Sequence, residues 1–364
     1  MHNPLLLGAL AAVLLSACGT APRSSTPPLP TAAAPEVRTV VESYISAETP
    51  AEELDSLATW TAGDGRIWLI ASAKSSHRLV VFDAESGTQL RTVGEEGAAL
   101  GQFDRPNGIA VSGDHLFVVE RDNHRVQVLR LPQFTPVGSF GAAELRSPYG
   151  IWLTETEPGE LEAYVTDSFM YGPKFDVVPP LTELNRRVRR FRVQFDQDGR
   201  LRASDGGAFG DTSERAALRM VESIAGDPAN DRLLIADEDR RHVSTLREYS
   251  FSGRYTGRSL PQDSFGAEAE GVALWTCPGG SGYWIAVDQL APMTIFHLFD
   301  RITLVPRGSF QGRVTAHTDG VALHKATPRF PGGVLFAVHD DKAISAFDLR
   351  EVVRALGLSP DCVR

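Results

Sequence analysis

The chain has 364 residues, a formal net charge of −10 and a pI near 5.4. That acidity argues against nucleic acid as a partner. It leaves a small anionic ligand open only where a bound cation or a local basic cluster reverses the field.

Read from the N-terminus, residues 5–15 form an apolar run too short for a comfortable permanent membrane span, as expected of the h-region of a signal peptide. It ends in Leu15-Ser16-Ala17-Cys18, small residues before a cysteine, which resembles a lipobox with Cys18 as the acylated mature N-terminus. The first four residues contain no Lys or Arg, a departure from an ordinary n-region. Residues 19–36 are rich in Pro, Ser, Thr and Ala, cannot bury a core and read as a flexible tether. The residue after Cys18 is Gly19, not an inner-membrane retention Asp, so the expectation is export and anchoring at the outer membrane. The lipid is then the chain's only membrane contact. With Cys18 lipidated, Cys277 and Cys362 remain as an even pair in an oxidising compartment, which predicts a bridge, with two free buried thiols as the alternative.

Residues 37–358 read as one domain. A short motif recurs, a polar residue followed by Gly or another small residue and an apolar strand. Its instances begin at Asp55, Asn107, Tyr149, Glu222, Glu270 and Asp319, at intervals of 52, 42, 73, 48 and 49 residues. That is the length of a four-stranded propeller blade. After each motif comes a turn and a second apolar strand, for example Ile67-Trp68-Leu69-Ile70-Ala71 and Leu233-Leu234-Ile235-Ala236. Helix is expected only at Leu349–Leu356. The fold class is therefore all-β, a six-bladed β-propeller, and residues 37–45 are expected to supply one strand that closes the last blade.

In a propeller the first strand of each blade lines the central channel and the second runs antiparallel to it. The starts of strand one and the ends of strand two therefore meet at one face. Asp55, Asn107, Tyr149, Glu222, Glu270 and Asp319 form a ring there, with Lys74, Glu120, Arg121, Asp167, Asp237, Glu238, Asp239, Asp288, His339 and Asp340 around it. Four carboxylates, an amide and a phenol on one axis are hard oxygen ligands, which suit Ca²⁺. The run Asp237-Glu238-Asp239 is a candidate for holding a second ion.

Taken together, these motifs resemble the β-propeller phytases over roughly residues 48–353. The resemblance rests on Asp55-Ser56-Leu57-Ala58, Tyr149-Gly150-Ile151, Val221-Glu222-Ser223 with Asp237-Glu238-Asp239, Ala269-Glu270-Gly271 and Thr318-Asp319-Gly320. It implies calcium-dependent hydrolysis of phosphate monoesters such as inositol hexakisphosphate. In that reading Asp55, Tyr149, Glu222, Glu238 and Glu270 are calcium ligands with Asp319 beside them, and Glu222, Glu238, Lys74 and Arg121 serve the reaction, the last two holding phosphate oxygens. The partner would be a small phosphorylated anion, and the protein a monomer. The chain departs from the family where residues 313–318 carry no carboxylate and where Lys74 is followed by Ser75. Residues 101–111 also resemble an NHL-type propeller repeat, which keeps a non-catalytic binding propeller in view. Asn107 keeps a gluconolactonase-like metal hydrolase in view as well.

If the lipobox is used, Cys18→Ser moves the protein from the membrane fraction to the soluble fraction. Unchanged fractionation of that variant would refute the anchor.

Overall fold

The computed structural model describes residues 36–364. The signal peptide, Cys18 and all but the last residue of the tether lie outside the described residues. The chain from Val37 onward forms six sheets in ring order, a six-bladed β-propeller.

Strand two of each blade explains the apolar runs in the sequence. Ile67–Ala73 and Arg232–Asp237 are buried at every position, on both faces of the strand. A strand in the middle of a blade is packed against a neighbouring blade on each side, so it does not alternate as a strand with one wet face would. The outer strands do meet water, as in Gln89–Val93. Six apolar clusters fill the six interfaces between blades, for instance Leu57, Val80 and Phe336 between the first and last blades and Tyr164, Val188 and Ile235 between the third and fourth.

The inner strands begin at Leu54, Pro106, Pro148, Val221, Ala269 and Val321. In the first five blades the pairing with strand two slips at the polar-small dipeptide, between Leu54 and Leu57 in blade one and at the equivalent places in the next four. This is a β-bulge, which re-aims a side chain where the ladder is interrupted. The small residue is imposed by the neighbouring blade. A Cβ on Gly150 would sit 2.3 Å from the Glu222 carbonyl oxygen, one on Gly320 2.3 Å from that of Asp55, and one on Gly108 2.4 Å from that of Tyr149. Glycine is therefore placed where adjacent inner strands touch.

Ring closure differs from the expected single strand over residues 37–45. Only Tyr44–Ile45 completes the last blade, antiparallel to Ala346 and Ser345. Val37–Thr39 instead adds a fifth, parallel strand to blade five, against Ser309–Gln311. Between them Glu42 turns its carboxylate to the backbone N–H groups of Arg313, Val314 and Thr315, each at 3.0 Å. The loop that lacks acids of its own is thus held by an acid from the N-terminal segment.

After the third strand of blade six, Asp348 caps the helix Leu349–Leu356 and Gly357 ends it in the left-handed conformation. Cys277 and Cys362 are disulfide-bonded, tying the chain's last turn to blade five.

Gly150→Ala and Gly320→Ala should each destabilise the fold by about 1–3 kcal/mol through overpacking. Gly63→Ala, with no atom within 4 Å of the new methyl, should be nearly neutral. Urea unfolding midpoints of the three variants test this.

Candidate metal and anion site at the channel mouth

A cavity of about 540 Å³ runs along the inner strands, lined by residues from all six blades, so these strands do line the channel. At its mouth each blade sets two residues at corresponding positions. The first is the ring residue, which in the first five blades stands at the bulge. The second follows strand two, and its N–H donates to the backbone just before the ring residue of the same blade. The pattern recurs as Lys74 to Glu53, Arg121 to Arg105, Ser168 to Ser147, Glu238 to Met220, Gln289 to Glu268 and Asp340 to Ala316, at 2.8–3.1 Å.

The residues that end strand two point elsewhere. The Asp167 carboxylate accepts from the N–H groups of Arg146 and Ser147, and that of Asp288 from Gly266 and Ala267. Asp237 accepts from Met220 and lies 3.4 Å from Arg247, and Glu120 is paired with Arg125 at 2.8 Å. In blade six His339 Nδ1 accepts from the Ala316 N–H at 3.2 Å. These groups clip the incoming loop in blades two to six, whereas strand two of blade one ends in Ala73. The expected acidic triplet is therefore divided: Asp237 is a clip, Asp239 caps a short turn and binds Arg241 at 2.7 Å, and only Glu238 faces the axis. Asp237 and Glu238, adjacent on extended backbone, point in opposite directions, and Asp239 caps the turn Arg240–His242, so the three acids do not share one ion. Asp340 is likewise engaged by Lys342, at 2.8 Å.

The converging residues form two groups. Glu222, Glu238 and Glu270 each offer a carboxylate oxygen within 4.8 Å of the others. Burial, reinforced by the neighbouring acids, pushes Glu238 and Glu270 well above the carboxylate range and Glu222 up to about 8. Burial and the charges of Asp55 and Glu222 likewise raise Tyr149, keeping its phenol protonated. On the other side of the axis the Lys74 ammonium lies 3.1 Å from Asp319 and 3.5 Å from Asp55, and the Gln289 amide donates to Asp319. Burial alone would lower Lys74, but Asp55, Asp319 and Glu222 outweigh it and raise it. Burial lifts Asp55 to about 6, offset in part by Lys74. Lysine thus already supplies the counter-charge for one half of the ring.

Among the described residues no basic side chain is ion-paired with Glu222, Glu238 or Glu270, although Lys74 and Arg121 act on Glu222 from a greater distance. Among the described residues Glu238 Oε1 in this half, Asp55 Oδ2 in the other and both amide atoms of the fully buried Asn107 have no hydrogen-bond partner. Buried polar atoms without partners are costly. Three hard carboxylates, with no thiol or imidazole among them, fit Ca²⁺ better than a transition metal.

Beside the mouth lies a second cavity, of about 560 Å³, with Glu222 and Tyr149 on one wall and Arg121, Arg146 and Lys174 on others. Arg121 is held by Asp122 at 2.7 Å. The sequence reading missed Arg146, Lys174 and Gln289. A pointer to two of these residues was available in the 73-residue interval after Tyr149, since the extra length is the loop that carries Lys174 and packs on Arg146.

A family model described as NHL repeat matches residues 103–129, the first three strands of blade two. No curated protein matches the chain. Among solved structures, hydrazine synthase of Kuenenia stuttgartiensis is 13% identical over 86% of this chain and 82% of its own, with a TM-score of 0.46. A catalytically inactive virginiamycin B lyase of Staphylococcus aureus, with quinupristin, is 9% identical over 84% of this chain and 99% of its own, also at 0.46. Neither likeness bears on what this chain does. The chain is a six-bladed β-propeller with an NHL repeat in its second blade.

A carboxyl with a raised folded-state pKa keeps its proton in the native state at pH values where the unfolded chain has released it. Between about pH 4.5 and 8, the window set by Asp55 near 6 and Glu222 near 8, the native state binds more protons. Stability then falls as pH rises. In chelator the melting temperature should therefore drop from pH 5 to pH 8. Added calcium should raise it more at pH 8, where protons compete less for the glutamates. A melting temperature indifferent to both would show that the ring binds no cation.

Proposed function

We propose that this propeller is a calcium-dependent phosphohydrolase acting on phosphate monoesters at the channel mouth. The observation that carries the reading is the Glu222–Glu238–Glu270 cluster, which forms no ion pair among the described residues, opening beside a cavity that presents Arg121, Arg146 and Lys174. Glu222, Glu238 and Glu270 would hold the ion. Bound there, calcium would supply Lewis-acid stabilisation of charge developing on a phosphoryl group. Arg121, Arg146 and Lys174 hold and orient the phosphate. Protonated Tyr149 is a hydrogen-bond donor between ion and anion sites. Lys74 acts chiefly by neutralising Asp55 and Asp319, rather than as a free phosphate ligand. Through Cys18 the whole site would be carried at the outer membrane.

One observation favours a second reading, a non-catalytic binding propeller. Lys74, which the family resemblance assigns to phosphate, is already engaged by two carboxylates. Phosphate release from a panel of monoesters, with calcium added or chelated, separates the two, and ring opening of lactones under the same conditions serves as a comparison. Hydrolysis predicts calcium-dependent phosphate release that Glu270→Gln lowers by about a hundredfold or more. Calcium-dependent stabilisation without phosphate release would favour the binding propeller.

A further inference from the structure

Strands two and three are joined by residues 74–77 in blade one, 121–124 in blade two and 340–342 in blade six. In blade three the connection is residues 168–187. It is a built element. The fully buried Arg187 donates to the carbonyls of Phe169 and Arg219 at 2.7 Å, Asp167 at 3.0 Å and Leu218 at 3.3 Å. The Phe169 ring takes the Arg187 guanidinium at 4.5 Å and that of Arg146 at 4.0 Å. Tyr171 and Val177 pair through both backbone groups, and the Tyr171 hydroxyl donates to Glu183. This small hairpin presents Lys174 and Phe175 at its tip.

Two kinds of surface therefore face the cavity from one loop. Among the described residues neither Arg146 nor Lys174 forms an ion pair, so their charge is available to an anion. Phe175 is 77% exposed, and Met170 and Met220 line the same cavity. A large aromatic left bare at a cavity wall gains by being covered. A ligand carrying phosphates all round would set oxyanions against those three side chains, which offer them no hydrogen bond.

We infer that the blade-three loop selects a phosphate monoester with an aromatic body, its phosphate between Glu222 and the Arg146–Lys174 pair and its ring against Phe175 and Met170. The inference rests on the proposed phosphate site, and it is tested by binding alone. Phenylphosphonate and methylphosphonate, which are not hydrolysed as esters, are titrated calorimetrically into the mature chain at saturating calcium. Phenylphosphonate should bind about tenfold more tightly. Phe175→Ala, at an exposed position that does not threaten the fold, should reduce that advantage roughly threefold and leave methylphosphonate unchanged. Arg146→Ala should weaken both. Equal affinities, an advantage untouched by Phe175→Ala, tighter binding of inositol hexakisphosphate, or no binding of either phosphonate would each overturn the inference. An aryl preference without phosphate release from any ester would uphold it and refute the hydrolase reading. Phosphate release without an aryl preference would do the reverse.

Discussion

The close approach of inner strands around the axis is the constraint on which the rest depends. Where Gly150 meets the Glu222 carbonyl, and Gly320 that of Asp55, no side chain fits. In the first five blades a bulge at the corresponding dipeptide re-aims its polar residue. Tight packing and convergence of the ring are thus one fact. A propeller cannot bring its inner strands together without also bringing together whatever side chains stand before the small residues.

Convergence of acids creates an electrostatic problem that the molecule meets differently on its two sides. Asp55 and Asp319 share a buried ammonium from Lys74. Buried ion pairs of this kind fix geometry more than they add stability, because desolvation offsets much of the attraction. Glu222, Glu238 and Glu270 form no ion pair among the described residues and feel a cation only at a distance, Lys74 and Arg121 acting on Glu222, so their mutual repulsion favours protons or a cation between them. The ring is therefore asymmetric in chemistry although its backbone plan repeats, and the acids without an ion pair among the described residues are gathered on the fourth and fifth blades.

Much of the fold was legible because the repeat is written in small residues and doubly apolar strands. The spacing of the six motifs located every inner strand, and Leu349–Leu356 was correctly read as helix. The division of residues 37–45 between two blades was not legible, because a short edge strand has no periodicity to distinguish its partners. The site was legible as a set of positions and not as a set of contacts. Asp237, Glu238 and Asp239 look equivalent in sequence, yet alternation along the backbone sends the first to a clip and the second to the axis, while the turn that starts at Asp239 takes the third away. Lys74 could be placed near the ring, but only three-dimensional contacts show it shared by acids from blades one and six. The blade-three loop left a trace only as added length.

That added length shows where specificity can enter such a scaffold. The clips, bulges and glycine contacts are used in blade after blade, so a change there would be felt at the interfaces between blades. A connection at the mouth is free of that requirement. In blade three the connection lengthens without disturbing the strands, since Arg187 gathers its ends by bonding to carbonyls on both its own loop and the one before blade four. One buried guanidinium thereby couples the core of the ring to a wall whose outer residues are unconstrained by packing. Charge and apolar area could be set there independently, and Lys174 and Phe175 stand side by side as the result.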